Sequence, residues 1–146
     1  MIATVREQDI PELLPLVLQY CAFYGTRPAE EDLTAMARSL VSSPEAGLQL
    51  VWRDPAGTVT GFATLLWGWD TTVAGTVGIM QDLFVVPHAR GRGIADALIA
   101  GCASRARAHG CRHLVWQTAP DNRRAQAVYE RTGALASPWL EYVMPV

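Results

Sequence analysis

The strongest constraint on this chain is a strand, a turn, a helix and a second strand in series between Val77 and Thr118. "VGIMQDLFVV" is a nearly continuous apolar run ended by Pro87. "RGRG" follows, then the Ala-rich "IADALIAGCASRARA", then "CRHLVWQT", which is apolar again. An apolar run without alternation predicts a strand buried on both faces. The Ala-rich segment predicts a helix over about 92–109, with Ile94, Ala97, Leu98, Gly101 and Cys102 on one face. Gly110 supplies its stop. Two buried strands joined by one helix predict a parallel crossover unit.

The rest of the chain fits around that unit. "IATVRE" reads as a first strand. Asp9 is placed to cap a helix over roughly 10–24, with Glu12 completing a capping box. Leu13, Leu16, Val17, Tyr20 and Tyr24 recur there at helical spacing. A second helix starts after Pro28 and ends near Ser42. "LQLVWR" and "TVTGFATLLW" flank "DPAG", which predicts an antiparallel hairpin. "GWDTTVAGT" reads as a loop. "DNRRAQAVYERTGA" reads as a short helix capped at Asp121 and stopped at Gly133, and "WLEYVMPV" as a last strand. The order predicts an α/β chain, a mixed sheet with helices on both faces. No repeat or linker divides it, so residues 1–146 form one domain.

Composition removes whole classes of function. With a net charge of -2 the chain is not a general nucleic-acid binder, so any anion site must be local. The 3 cysteines, Cys21, Cys102 and Cys111, have no metal-type spacing and read as small hydrophobes in a reducing compartment. No metal site is expected. The charged N-terminus does not read as a signal peptide, and runs such as "LLPLVL" are too short to span a bilayer. The expectation is a cytoplasmic protein without a membrane partner.

"RGRGIA" is the candidate anion site. The first amides of a helix lack intrahelical partners and lie at the positive end of its dipole. Gly91 and Gly93 let an anion approach them, and Arg90 and Arg92 add charge. The stretch reads equally well as a basic turn, with one arginine bracing it. It is neither a P-loop nor a dinucleotide fingerprint, and a single embedded motif is no RGG-type segment.

"LFVVPHARGRGIADALI" followed by "DNRRAQAVYERTGA" resembles the GNAT superfamily of N-acyltransferases. Its R/Q-x-x-G-x-G/A loop appears as Arg90, Gly93 and Ala95, and its N-x-x-A-x-x-x-Y segment as Asn122, Ala125 and Tyr129. The resemblance implies the acyl-CoA N-acyltransferase fold, with a central sheet of six to seven strands, and acetyl-CoA as cofactor. It places the pyrophosphate on the amides of Gly91, Arg92, Gly93, Ile94, Ala95 and Asp96. The pantetheine arm would pair with Leu83, Phe84 and Val85, where the strands splay beyond residue 85, and bond to Asn122. A narrower likeness is to the diamine and thialysine acetyltransferase branch. That branch tends to carry Glu-Asp where this chain has Gln81-Asp82. The missing carboxylate argues against a polycation and leaves a monoamine, an amino acid or an antibiotic-like amine.

Transfer to an amine needs a neutral nucleophile. An alkyl amine with a pKa of about 10.4 is neutral in roughly one molecule in 2,500 at pH 7. Asp82, the acid on the central strand, is the candidate base or substrate anchor. The leaving thiolate needs a proton, and the resemblance assigns that role to Tyr129. A strand amide, of Leu83 or Phe84, would meet the oxyanion. Phe23, Tyr24 and Trp67 are candidates for the acceptor pocket, with Gln81 and Asp82 beside it. The expected reaction is acetylation of a small-molecule primary amine. Alternatives are a protein lysine or N-terminal acetyltransferase, or a non-catalytic acyl-CoA-binding regulatory domain. Dimers are common among similar proteins, and the "PWLEYVMPV" edge offers a place for a homodimer.

Overall fold

The computed structural model describes residues 1–146. In chain order the elements are β1 (Ile2–Thr4), α1 (Ile10–Phe23), α2 (Glu30–Ser42), β2 (Gly47–Arg53), β3 (Val59–Asp70), β4 (Gly75–Val85), α3 (Ile94–Ala108), β5 (Leu114–Val115) and α4 (Arg123–Arg131). The sheet has 5 strands in the order β1-β2-β3-β4-β5. All pairs are antiparallel except β4 and β5, which are parallel around α3 as the sequence predicts.

Besides the strand count, 5 where six to seven are expected, three expectations about single segments change. "GWDTTVAGT" is mostly ladder, because Gly68 pairs with Val77, Trp69 with Thr76 and Asp70 with Gly75. The reversal is confined to a short turn, Thr71–Val73, fixed by Asp70 accepting from the Thr72 amide at 2.8 Å and its hydroxyl at 2.6 Å. Asp9 does not cap α1. It accepts the Arg6 amide at 2.9 Å and binds Arg53 at 2.7 Å, and Glu12 reaches the same guanidinium at 2.7 Å. Third, "WLEYVMPV" forms no strand, and "CRHLVWQT" contributes only Leu114–Val115. So short a β5 itself offers little edge for a further strand to pair against. Trp139, Leu140, Tyr142, Val143 and Met144 are each more than 80 % exposed.

The core lies between the sheet and the helices. α1 buries Ile10, Leu13, Leu14, Leu16 and Val17, while α3 buries Ile94, Leu98, Ile99 and Cys102. Phe62, Leu50, Leu65 and Leu98 are fully enclosed. The predicted "DPAG" hairpin is present, with the Asp54 carboxylate accepting from the amides of Ala56 and Thr58 at 2.9 Å each. α2 begins with Glu30, Glu31 and Asp32, which complement the positive end of its dipole.

Two irregularities of β4 set up the site. Thr64 pairs with Asp82 but Leu65 pairs with Met80, so Gln81 is an unpaired bulge residue. On its other edge β4 pairs with β5 only at Gly78 and Ile79. The splay therefore begins after Ile79, earlier than the expected position beyond residue 85.

Candidate active site

The parted strands open onto a cleft of about 880 Å³. Its back wall is Leu83, Phe84 and Val85 of β4, and its floor is the turn into α3. Gly91 and Gly93 both adopt the left-handed conformation, with φ of 76° and 75°. A Cβ at either would meet nothing within 4 Å, so the space above the turn is open and the backbone is what demands glycine. Ala97 is the first residue to bond back into α3, to the Gly93 carbonyl at 3.0 Å. The amides of residues 91–96 make no bond within the chain. They form a row of donors at the positive end of a helix.

The two arginines divide. Arg90 braces the turn: its Nε donates to the Val85 carbonyl at 2.8 Å and its guanidinium lies 5.7 Å from the centre of the Phe84 ring. Arg92 is exposed and does not line the cleft. Burial, and then the charge of Arg124, lower the Arg90 pKa. Arg124 and Arg131 of α4 also border the cleft, and Arg131 binds both oxygens of Asp96 at 3.1 and 3.2 Å. Asp96 is thereby neutralised at the helix end where an anion would sit. A basic rim, free amides, open space over both glycines and an unpaired stretch of β4 fit the diphosphate and extended amide-bearing arm of coenzyme A.

α4 supplies the opposite wall. Asn122 caps it, its Oδ1 accepting the Ala125 amide at 3.2 Å, while the expected cap Asp121 is exposed. The Asn122 side-chain amide donors stay free to face the cleft, and Ala125 lines it. Tyr129, one helical turn further on, packs edge-on against Trp116 with ring centres 5.4 Å apart. Burial, then the neighbouring Tyr24, push its hydroxyl above the ordinary phenol range. It is protonated at neutral pH, the state a proton donor needs.

The end of α1 forms the mouth, with Tyr20, Phe23 and Tyr24 lining the cleft in edge-to-face contact. Two other acceptor candidates lie outside it. Trp67 stacks on His109 at 4.0 Å and donates to the Pro44 carbonyl at 3.0 Å. Gln81 projects to solvent at the bulge. Asp82 is half-buried behind the lining, with the hydroxyls of Thr64 and Tyr20 turned to it. Burial raises its pKa more than those two hydroxyls lower it.

Sequence reasoning missed Tyr20, Arg124, Ala127, Val128 and Arg131 as cleft residues. Arg124 and Arg131 occupy the polar face of a short helix and look like solvated charge. Their spacing from each other was the available signal, since residues seven positions apart lie two turns apart on one helix face.

A profile of the acetyltransferase (GNAT) family matches residues 14–134. The N-acetyltransferase YhfO of Bacillus subtilis (strain 168) is 28% identical over 132 residues, covering 90% of this chain and 87% of that protein. A ribosomal-protein-alanine N-acetyltransferase from Brucella melitensis biovar Abortus 2308 superposes with a TM-score of 0.79 at 25% identity, over 100% of this chain and 99% of that one. The aminoglycoside N-acetyltransferase AAC(6')-Iy, solved with CoA, superposes with a TM-score of 0.85 at 19% identity, over 99% and 93% of the two chains.

Proposed function

The chain belongs to the GNAT acetyltransferase family, and from that premise we propose that it moves the acetyl group of acetyl-CoA to the primary amine of a small molecule by direct attack. The observation that carries this reading is the set of unbonded amides over residues 91–96, placed beside the bare edge of β4 and opposite Tyr129. Bound acetyl-CoA supplies an activated acyl group as a thioester. The amides of Gly91 to Asp96 and the arginine rim hold its phosphates. The backbone of Leu83 to Val85 and the free side-chain amide of Asn122 orient its arm.

The chain's own groups then manage protons and charge. Holding an alkyl ammonium in its neutral form at pH 7 costs about 4.6 kcal/mol. Asp82, whose pKa is raised by burial, accepts that proton. An amide of Leu83 or Phe84 donates to the developing oxyanion. Tyr129 donates to the departing sulfur. Phe23 and Tyr24 border the mouth of the cleft, both more than half exposed, and would meet the acceptor there.

A thermal-shift titration with acetyl-CoA tests the cofactor half. At a hundredfold excess over Kd the gain is about 2.7 kcal/mol, and Gly93→Val abolishes it. No shift at millimolar acetyl-CoA removes the reading. Thiol release against amines and against alanine-terminated peptides tests the acceptor half. A preference for peptides moves the assignment to a protein acetyltransferase. Silence on both panels favours a regulatory acyl-CoA-binding domain.

A further inference from the structure

Asp82 raises a problem for any role in the reaction, because it does not itself line the cleft. The residue that does so in front of it is Tyr20. We infer that Tyr20 is the group that meets the acceptor amine, and that Asp82 acts through it as the terminal proton acceptor. The inference rests on the acetyltransferase reading above.

The geometry is a polar row inside an apolar face. Gln49 pairs with Thr64 across β2 and β3, and Thr64 pairs with Asp82 across β3 and β4. Gln49 and Thr64 are 2 % and 3 % exposed. Gln49 Nε2 donates to Thr64 Oγ1 at 3.2 Å. Having accepted that bond, the Thr64 hydroxyl keeps its own proton to give to Asp82. Gln49 Oε1 is buried with no partner. Such a row is costly inside a core unless function retains it.

Tyr20 covers the end of the row from α1. Its ring is held edge-on by Phe62 at 5.9 Å, Phe84 at 6.3 Å and Tyr24 at 5.0 Å. Phe62 and Phe84 pair across β3 and β4 two residues from the Thr64–Asp82 pair, so all four share a face and Tyr20, packed on the two rings, lies over the face that carries the polar row while also lining the cleft. The groups facing Asp82 are the Thr64 and Tyr20 hydroxyls, with no cation among them. Burial first, and then the Asp82 charge, push the Tyr20 hydroxyl well above its ordinary range. Tyr20 therefore relays a proton without ever becoming a phenolate of measurable lifetime.

The step balances as a proton transfer. The acceptor ammonium gives one proton to Tyr20 Oη, and Tyr20 gives its own to an Asp82 oxygen. The amine becomes neutral, Tyr20 is restored and Asp82 becomes a carboxylic acid. Its proton leaves to water after turnover.

Two measurements on the full chain decide the matter. First, ultraviolet tyrosine titration of wild type, Asp82→Asn, Tyr20→Phe and the double variant reads the link directly. Asp82→Asn lowers the pH at which one tyrosine titrates, leaving it above the ordinary phenol range because burial remains, and that titration is missing when Tyr20→Phe is added. Second, thiol release is followed against pH on phenethylamine, ethanolamine, kanamycin and an alanine-terminated peptide, using the one turned over fastest. Each single variant loses about a hundredfold in kcat, and the double variant loses no more than either. All four keep the acetyl-CoA thermal shift. Additive losses, or Tyr20→Phe within twofold of wild type with an unchanged pH profile, overturn the relay alone. So does an unmoved tyrosine titration in Asp82→Asn. Loss of the acetyl-CoA shift in wild type overturns the acetyltransferase reading, and the relay with it.

Discussion

Two enclosed carboxylates flank α1, and they have opposite company. Asp9, just before the helix, meets the Arg53 guanidinium at 2.7 Å and the Arg6 amide at 2.9 Å. Burial pushes its pKa up, but those partners outweigh it and hold the carboxyl below its usual range. Asp82, beneath the far end of the helix, meets hydroxyls only, and burial leaves its pKa raised. A carboxylate given a cation is spent on structure. A carboxylate given only hydroxyls keeps its appetite for a proton. The same residue type thus fastens β2 to the start of α1 in one place and, in the reaction proposed above, takes up a proton in the other.

Breaking the unpaired member has the largest effect. Asp82→Asn lowers kcat by about a hundredfold, measured by thiol release. It also raises the melting temperature at pH 7, because an ionised buried carboxylate is removed. Since the folded pKa of Asp82 is raised, that gain shrinks as pH falls through the folded value and vanishes below the unfolded value of 3.8. A melting temperature unchanged at both pH values would show that the carboxylate is not desolvated.

Asp9→Ala comes next and does the reverse. It leaves Arg53, whose side chain is 19% exposed, with Glu12 and the Gly57 carbonyl. Denaturant unfolding registers a loss of about 3 kcal/mol, while kcat per folded molecule holds. Because the folded pKa of Asp9 is lowered, the wild-type advantage is present above 3.8 and fades as pH falls through the folded value. At neutral pH the two variants therefore move stability in opposite directions.

Thr64→Val sharpens the contrast further. It costs about 1–2 kcal/mol by stranding the buried Gln49 amide, and it removes one of the two hydroxyls serving Asp82. The acid limb of the rate profile moves to higher pH. Arg38→Ala is the control at the small end. It removes an exposed pair with Glu7, 61% and 58% accessible, and changes stability by less than about 0.5 kcal/mol.

The turn into α3 was legible because glycine at positive φ and a row of free amides are chemistry that a motif can encode. Arg90, Gly93, Asn122 and Tyr129 come together as their spacing implies. Tyr20 was hidden for the opposite reason. Its helical spacing with Leu13, Leu16 and Val17 is that of a core residue, and only the register of three strands puts a polar row beneath it. Gln81 was misplaced because one bulged residue changes which face its neighbours occupy, and alternation in sequence does not mark it. Trp69 was given to a loop because Gly and Asp beside it are turn formers, yet the ladder runs through it to Asp70. The missing last strand has a physical cause as well: a two-residue β5 is too short an anchor for a distant segment.

The bare stretch of β4 also bears on how the protein keeps in solution. Unpaired N–H and C=O groups on a strand edge are a template for other chains, and the exposed apolar C-terminal segment adds adhesive surface to the same molecule. Coenzyme A lying along β4 would occupy those groups. Cofactor then acts as a preservative as well as a reactant, and light scattering of stored samples with and without it measures the difference.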